Sequence, residues 1–127
     1  MYSPYIDRLV KWLNASGVPV ELHADYLPDY VRGRCHNLYV DGKVLIEINE
    51  PSAREALLTL AHEAGHWVGA SVFGYKKLVS TRERQAIVYG WCILELVGAR
   101  HLFTRKDWIE FHTEELHVEF TTTERSA

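Results

Sequence analysis

Cysteine is scarce in this chain: its 127 residues include only two, Cys35 and Cys92. They form no CxxC pair, which argues against a cysteine-based metal site. Cys92 lies in an apolar helical run, where a buried free thiol is the expected state. A chain of this length also buries a sizeable core without disulfides. Positive charge is limited as well. Lysine and arginine total 14 against 17 acidic residues, a net charge of -3, which argues against non-specific attachment to nucleic acid through phosphates. The basic clusters Lys76-Lys77 and Arg82/Arg84 are short and read as solvated surface. No apolar stretch is long enough to span a bilayer. Asp7, Arg8 and Lys11 interrupt any run resembling a signal peptide. A cytoplasmic protein without a membrane partner is expected. Repeats, low-complexity segments and linkers are missing too, so residues 1–120 are expected to form one domain, followed by a polar tail at 121–127.

The hydrophobic share of 47% and the charged share of 24% are those of an ordinary globular protein. Ser3-Pro4 reads as a helix start, and Ile6, Leu9, Val10 and Leu13 follow at helical spacing until Asn14 and Gly17 stop the helix. Val18 to Leu22 is short and β-prone. Ala24 to Arg34, with Pro28 and Gly33, reads as irregular. Two β-prone runs, Asn37 to Val40 and Lys43 to Ile48, joined by Asp41-Gly42, signal a hairpin. Alternation of Val44, Ile46 and Ile48 with Lys43, Leu45 and Glu47 gives the second run one apolar face.

Pro51-Ser52 opens the next helix, with Glu55 at capping-box distance from Ser52 and Gly74 as its stop. A further helix starts at Ser80 or Thr81, is lined by Ala86, Tyr89, Gly90, Ile93 and Val97, and ends near Gly98. Thr104 and Asp107 suggest a cap for a last helix around Trp108, Phe111 and Leu116. The fold expected from this order is α+β: a small antiparallel sheet with a hairpin beside three or four helices. Trp12, Trp67, Trp91 and Trp108 are expected to pack the core.

Inside the helix after Ser52, His62, Glu63 and His66 spell H-E-x-x-H. A spacing of four puts both imidazoles on one helical face, close enough to share a metal ion. Glu63, beside the first histidine, can reach a water at that ion as general base. Zinc (Zn2+) suits two imidazoles, one further ligand and an open position, the arrangement of a hydrolase. Leu57, Leu60, Ala61, Ala64 and Val68 recur at helical spacing through the motif.

The third ligand is less explicit. The metzincin extension is excluded: Gly69 fits it, but Val72 stands where a third histidine belongs. Glu83, on the following helix, is the acidic candidate, although Ser80 and Glu83 also have capping-box spacing. Glu95 and His101 are the next choices. His101, His112 and His117 have no ligand-like spacing to the motif. They stand with Tyr75 and Tyr89 as possible oxyanion donors, among which the sequence does not choose. Glu95, Glu110, Glu114 and Glu115 read as solvent-facing.

Several of these segments together resemble the ImmA/IrrE family of small metallopeptidases. They are Ile46-Glu47-Ile48-Asn49, Arg54, Leu60-Ala61-His62-Glu63-Ala64-Gly65-His66 and Glu83-Arg84-Gln85-Ala86-Ile87-Val88-Tyr89-Gly90. The last is similar to the family's E-x-x-A-(N/D)-x-F-A segment, with Tyr89-Gly90 for Phe-Ala and Ile93-Leu94 for the leucine pair that follows. The similarity covers roughly residues 36 to 97, with weaker agreement over the N-terminal helix. It implies a zinc peptidase fold in which His62, His66 and Glu83 hold the metal and Glu63 is the base. Ile87 replaces an Asn or Asp, and Leu96 a closing proline; neither is a ligand position. The family often carries a helix-turn-helix domain, for which this length leaves no room. By resemblance, the partner is a specific protein or peptide substrate, such as a phage- or mobile-element repressor or an antitoxin-like regulator. A metal-binding module that sequesters such a regulator without cutting it is the competing reading. Intact Glu63 favours the enzyme, because a pure binder needs no base.

Overall fold

Residues 1–36, 38, 43–74 and 76–113 are described by the structure, a computed structural model. Pro4 in the first turn and the stripe Ile6, Leu9 and Leu13 produce helix α1 (Ser3–Ala15), whose buried face those three residues form. It stops at Gly17, where φ is 87°, a value glycine adopts without strain. Three short strands follow: β1 (Val20–Leu22), β2 (Gly33–His36) and β3 (Leu45–Ile48). They form one sheet in the order β1-β3-β2.

The α+β class agrees with expectation, but the sheet is mixed rather than antiparallel. β1 runs parallel to β3, pairing Val20 with Ile46 and Leu22 with Ile48, while β2 runs antiparallel, pairing Gly33 with Ile48 and His36 with Leu45. β3 is therefore the central strand. Both of its faces are covered: Ile46 and Ile48 point into the core, and Glu47 on the other face is also buried. Its antiparallel partner also lies earlier in the chain than the Asn37 to Val40 run. The expected Asp41-Gly42 turn and residues Asn37, Tyr39 and Val40 lie outside the described residues, and Leu38 is a buried turn residue. Residues 23–32 cross the end of β3 to join β1 to β2. Buried Asn49 holds them there, accepting from the Leu27 amide and donating to the Leu27 carbonyl, both at 2.9 Å.

Helix α2 (Ala53–Phe73) is capped as expected, the Ser52 side chain accepting from the Glu55 amide at 3.3 Å, and Gly74 ends it with φ of 90°. Every residue from Leu57 to His66 is buried. A helix covered on all sides must be the centre of its fold: α2 packs against α1, against the sheet and against helix α3 (Val79–Leu96). A 3-10 turn at Arg100–Leu102 then leads to helix α4, described over 105–113. Thr104 and Asp107 cap α4 reciprocally, side chain to amide, at 3.0 and 2.8 Å. Leu116, Glu114, Glu115, His117 and the tail lie outside the described residues.

The core joins Leu9, Leu13, Ile46, Leu57, Leu60 and Leu94. Trp108 is buried within it, and Trp12, Trp67 and Trp91 pack against it. Both cysteines are free; Cys92, expected to be buried, is exposed, because its position on α3 faces away from α2. Among the described residues, no helix is long and apolar enough to cross a membrane.

Candidate metal centre

The α2–α3 contact brings the motif and Glu83 together. Small residues allow the approach: a Cβ on Gly65 would lie 2.5 Å from the Ala86 carbonyl oxygen, and one on Gly90 would lie 3.0 Å from that of Ala61. α3 starts at Val79 with Leu78 as N-cap and no side-chain cap bond, so Glu83 is not a capping glutamate. Its carboxylate instead faces both motif histidines, with Oε2 at 3.3 Å from His62 Nε2 and Oε1 at 3.1 Å from His66 Nε2. All three side chains are buried, and ligand-type atoms of the three lie within 4.8 Å of one another.

Two observations test whether a metal fits there. Zinc bonded to nitrogen and oxygen at about 2.0–2.1 Å sets neighbouring ligands of a tetrahedron roughly 3.3 Å apart. Each histidine Nε2 lies at about that distance from one oxygen of the Glu83 carboxylate, 3.3 Å from Oε2 for His62 and 3.1 Å from Oε1 for His66. The second observation is an orphaned atom: Glu83 Oε2 is buried without a hydrogen-bond partner among the described residues. His62 explains why. Its Nδ1 lies 2.8 Å from His112 Nε2, and His112 Nδ1 lies 2.7 Å from the Trp108 carbonyl oxygen. A carbonyl only accepts, so His112 Nδ1 carries a proton. The Nε2 of a neutral His112 then accepts from His62 Nδ1, and the Nε2 of a neutral His62 is a bare lone pair. A lone pair facing a buried carboxylate oxygen calls for a cation, or a proton, between them. The donor set fits zinc.

Burial works against the charge of Glu83, but when His62 and His66 are protonated, their hydrogen bonds and positive charge outweigh it and hold the carboxyl below the usual carboxylate range. Burial, reinforced by the neighbouring His62, lowers His112 to about 4, so the ring is neutral near pH 7. Glu63 is buried beneath β2, and a Cβ on Gly33 would lie 3.4 Å from both its Cγ and its Oε1. Cys35, on the same strand, has its thiol pushed up by burial and by the charge of Glu63.

A second group, Glu21, His23 and Glu47, also places ligand-type atoms within 4.8 Å of one another. Here the geometry is that of hydrogen bonding. Glu47 accepts from His23 Nε2 and His36 Nε2 at 2.8 Å each and from the Tyr30 hydroxyl at 2.9 Å. Burial raises its pKa, but bonds from His36, Tyr30 and His23 outweigh that and bring it down to about 2. This hub ties residues 23 and 30, between β1 and β2, and β2 itself to β3.

The structure thus gathers His62, His66 and Glu83, with Glu63 adjacent in sequence, and leaves the other candidates apart. Glu95 is exposed and pairs with Arg100 at 3.4 Å; His101 is exposed, 3.2 Å from the Tyr5 hydroxyl. Tyr89 is half-buried against Phe73, and Tyr75 lies outside the described residues. His112, which spacing to the motif passes over, is the residue that touches the centre. Its four-residue distance from Trp108 is legible in the sequence, but its partner is 50 residues away. Comparison with family models, curated proteins and solved structures yields no match for this chain.

Proposed function

We propose that this protein is a zinc-dependent peptidase that cuts a specific regulatory protein, as its resemblance to the ImmA/IrrE family implies. The observation that carries this reading is the buried Glu83 carboxylate, aimed at the Nε2 atoms of His62 and His66 with Oε2 otherwise unpartnered among the described residues. His62, His66 and Glu83 are the three ligands. Zinc held by them would supply Lewis-acid polarisation of a water and of a peptide carbonyl. Glu63 is the base: it takes the proton of the attacking water and passes it to the departing amine. Among the described residues β2 is an edge strand, and with Gly33 over Glu63 it offers main-chain groups to an extended peptide. The two free thiols fit a reducing cytoplasm, and the net charge of -3 fits a protein substrate rather than direct nucleic-acid binding.

The test combines metal analysis with hydrolysis of a quenched fluorescent peptide library. About one zinc per chain, lost in His62→Ala and His66→Ala, is expected. Glu63→Gln is expected to keep zinc and fold while losing hydrolysis. A protein that arrives without metal and takes up none would end the reading. A Glu63→Gln variant that still represses its cellular target as well as wild type would favour sequestration over cleavage.

A further inference from the structure

His112 is a buried titratable group that the peptidase reading leaves without a role. It is 3% exposed, and docking of α4 fixes its position. Trp108 donates from Nε1 to the Ile87 carbonyl at 3.0 Å, and its ring fills the space at Gly90, where a Cβ would lie 2.7 Å from Trp108 Cζ2. One turn later, His112 stands between the Trp108 carbonyl and His62 Nδ1, at 2.7 and 2.8 Å.

We infer that His112 is a positioning residue for the metal centre: by accepting the Nδ1 proton of His62, it holds that ring in the tautomer whose Nε2 is bare and aimed at Glu83. The inference rests on the zinc reading of His62, His66 and Glu83. For neutral rings its direction follows from the hydrogen-bond geometry. The Trp108 carbonyl commits the His112 Nδ1 proton, which makes Nε2 the acceptor and His62 the donor. A free histidine side chain prefers its proton on Nε2, the nitrogen that must ligate here, so His62 needs an acceptor behind it. A carboxylate would also serve, but it would add a second buried anion to a centre that already holds Glu83. A neutral imidazole orients His62 without that charge.

The experiment uses the full chain with ¹⁵N-labelled histidine, together with zinc titrations of wild type, His112→Gln and His112→Phe. In metal-free wild type, His62 is expected to carry a proton on Nδ1. His112→Phe fills the space but accepts nothing, and is expected to bind zinc about 10–100-fold more weakly. His112→Gln, whose side-chain oxygen can accept the same hydrogen bond, should bind close to wild type. Tryptophan near-ultraviolet circular dichroism checks that α4 stays docked in each variant. The inference is overturned if His62 Nδ1 is the unprotonated nitrogen, if His112→Phe binds as wild type does, or if His112→Gln is as weak as His112→Phe. Failure of wild type to bind zinc would overturn the metal reading instead, and the nitrogen spectrum would still decide the His62 tautomer.

Discussion

Gly65 in α2 and Ala86 in α3 meet so closely that a Cβ on Gly65 would stand 2.5 Å from the Ala86 carbonyl oxygen and 2.9 Å from the Gly90 amide nitrogen. Both obstacles are backbone, so neither can rotate away. Gly65→Ala is expected to push α3 outward and to destabilise the protein by about 1–3 kcal/mol. Because Glu83 rides on α3, zinc binding should weaken in the same variant. Urea unfolding and a zinc titration check the pair; a Gly65→Ala protein as stable as wild type would contradict the observed packing.

Gly33 tests the other side of the centre. A Cβ there would collide with the Thr59 methyl and approach Glu63, and Thr59 is pinned because its hydroxyl donates to Glu50. Gly33→Ala is therefore expected to displace β2 and Glu63, the proposed base, without touching a proposed zinc ligand. Hydrolysis should fall while zinc affinity stays near that of wild type. Loss of zinc together with activity would mean that β2 supports the ligands themselves.

Glu47 makes the pH dependence explicit. Its folded pKa of about 2 lies below the ordinary 4.5. A depressed acid stabilises the fold above its unfolded pKa, and that contribution is lost as pH falls through the folded value. Glu47→Gln should cost about 1.5–3 kcal/mol at pH 7, the range for hydrogen bonds to a charged group. The gap to wild type should narrow between pH 4.5 and 2. Urea unfolding across that range measures it; a gap independent of pH would show that the charge of Glu47 contributes nothing.

How much of this was legible in the sequence differs by element. α2 was legible because its cap, its apolar spacing and its stop at Gly74 are all local signals. His62, His66 and Glu83 were named from helical spacing and from the family-like segment after Glu83. β2 was not legible: Gly33-Arg34-Cys35-His36 contains no β-branched or large aromatic residue, and pairing with β3 makes it a strand. The central place of β3 was hidden because alternation with Glu47 looks like a wet face. That face is covered by His23, Tyr30 and His36, and only tertiary structure brings the three together.

Glu83→Gln separates a metal ligand from a structural ion pair, because the two roles predict opposite signs without metal. Without metal, wild-type Glu83 Oε2 faces the Nε2 lone pair of a neutral His62 at 3.3 Å. The glutamine amide can donate to that lone pair while its oxygen still faces His66, so metal-free Glu83→Gln should be at least as stable as metal-free wild type. Zinc reverses the order. At pH 7.5 and a zinc concentration 100 times the Kd, wild type should gain about 2.7 kcal/mol. The variant should gain almost nothing, since a neutral amide is a poor zinc ligand. Thermal or urea unfolding with and without zinc reads both arms. If Glu83→Gln instead lost about 1.5–3 kcal/mol without metal and kept the full zinc stabilisation, Glu83 would be a structural partner of the histidines, and the metal would need a different third ligand.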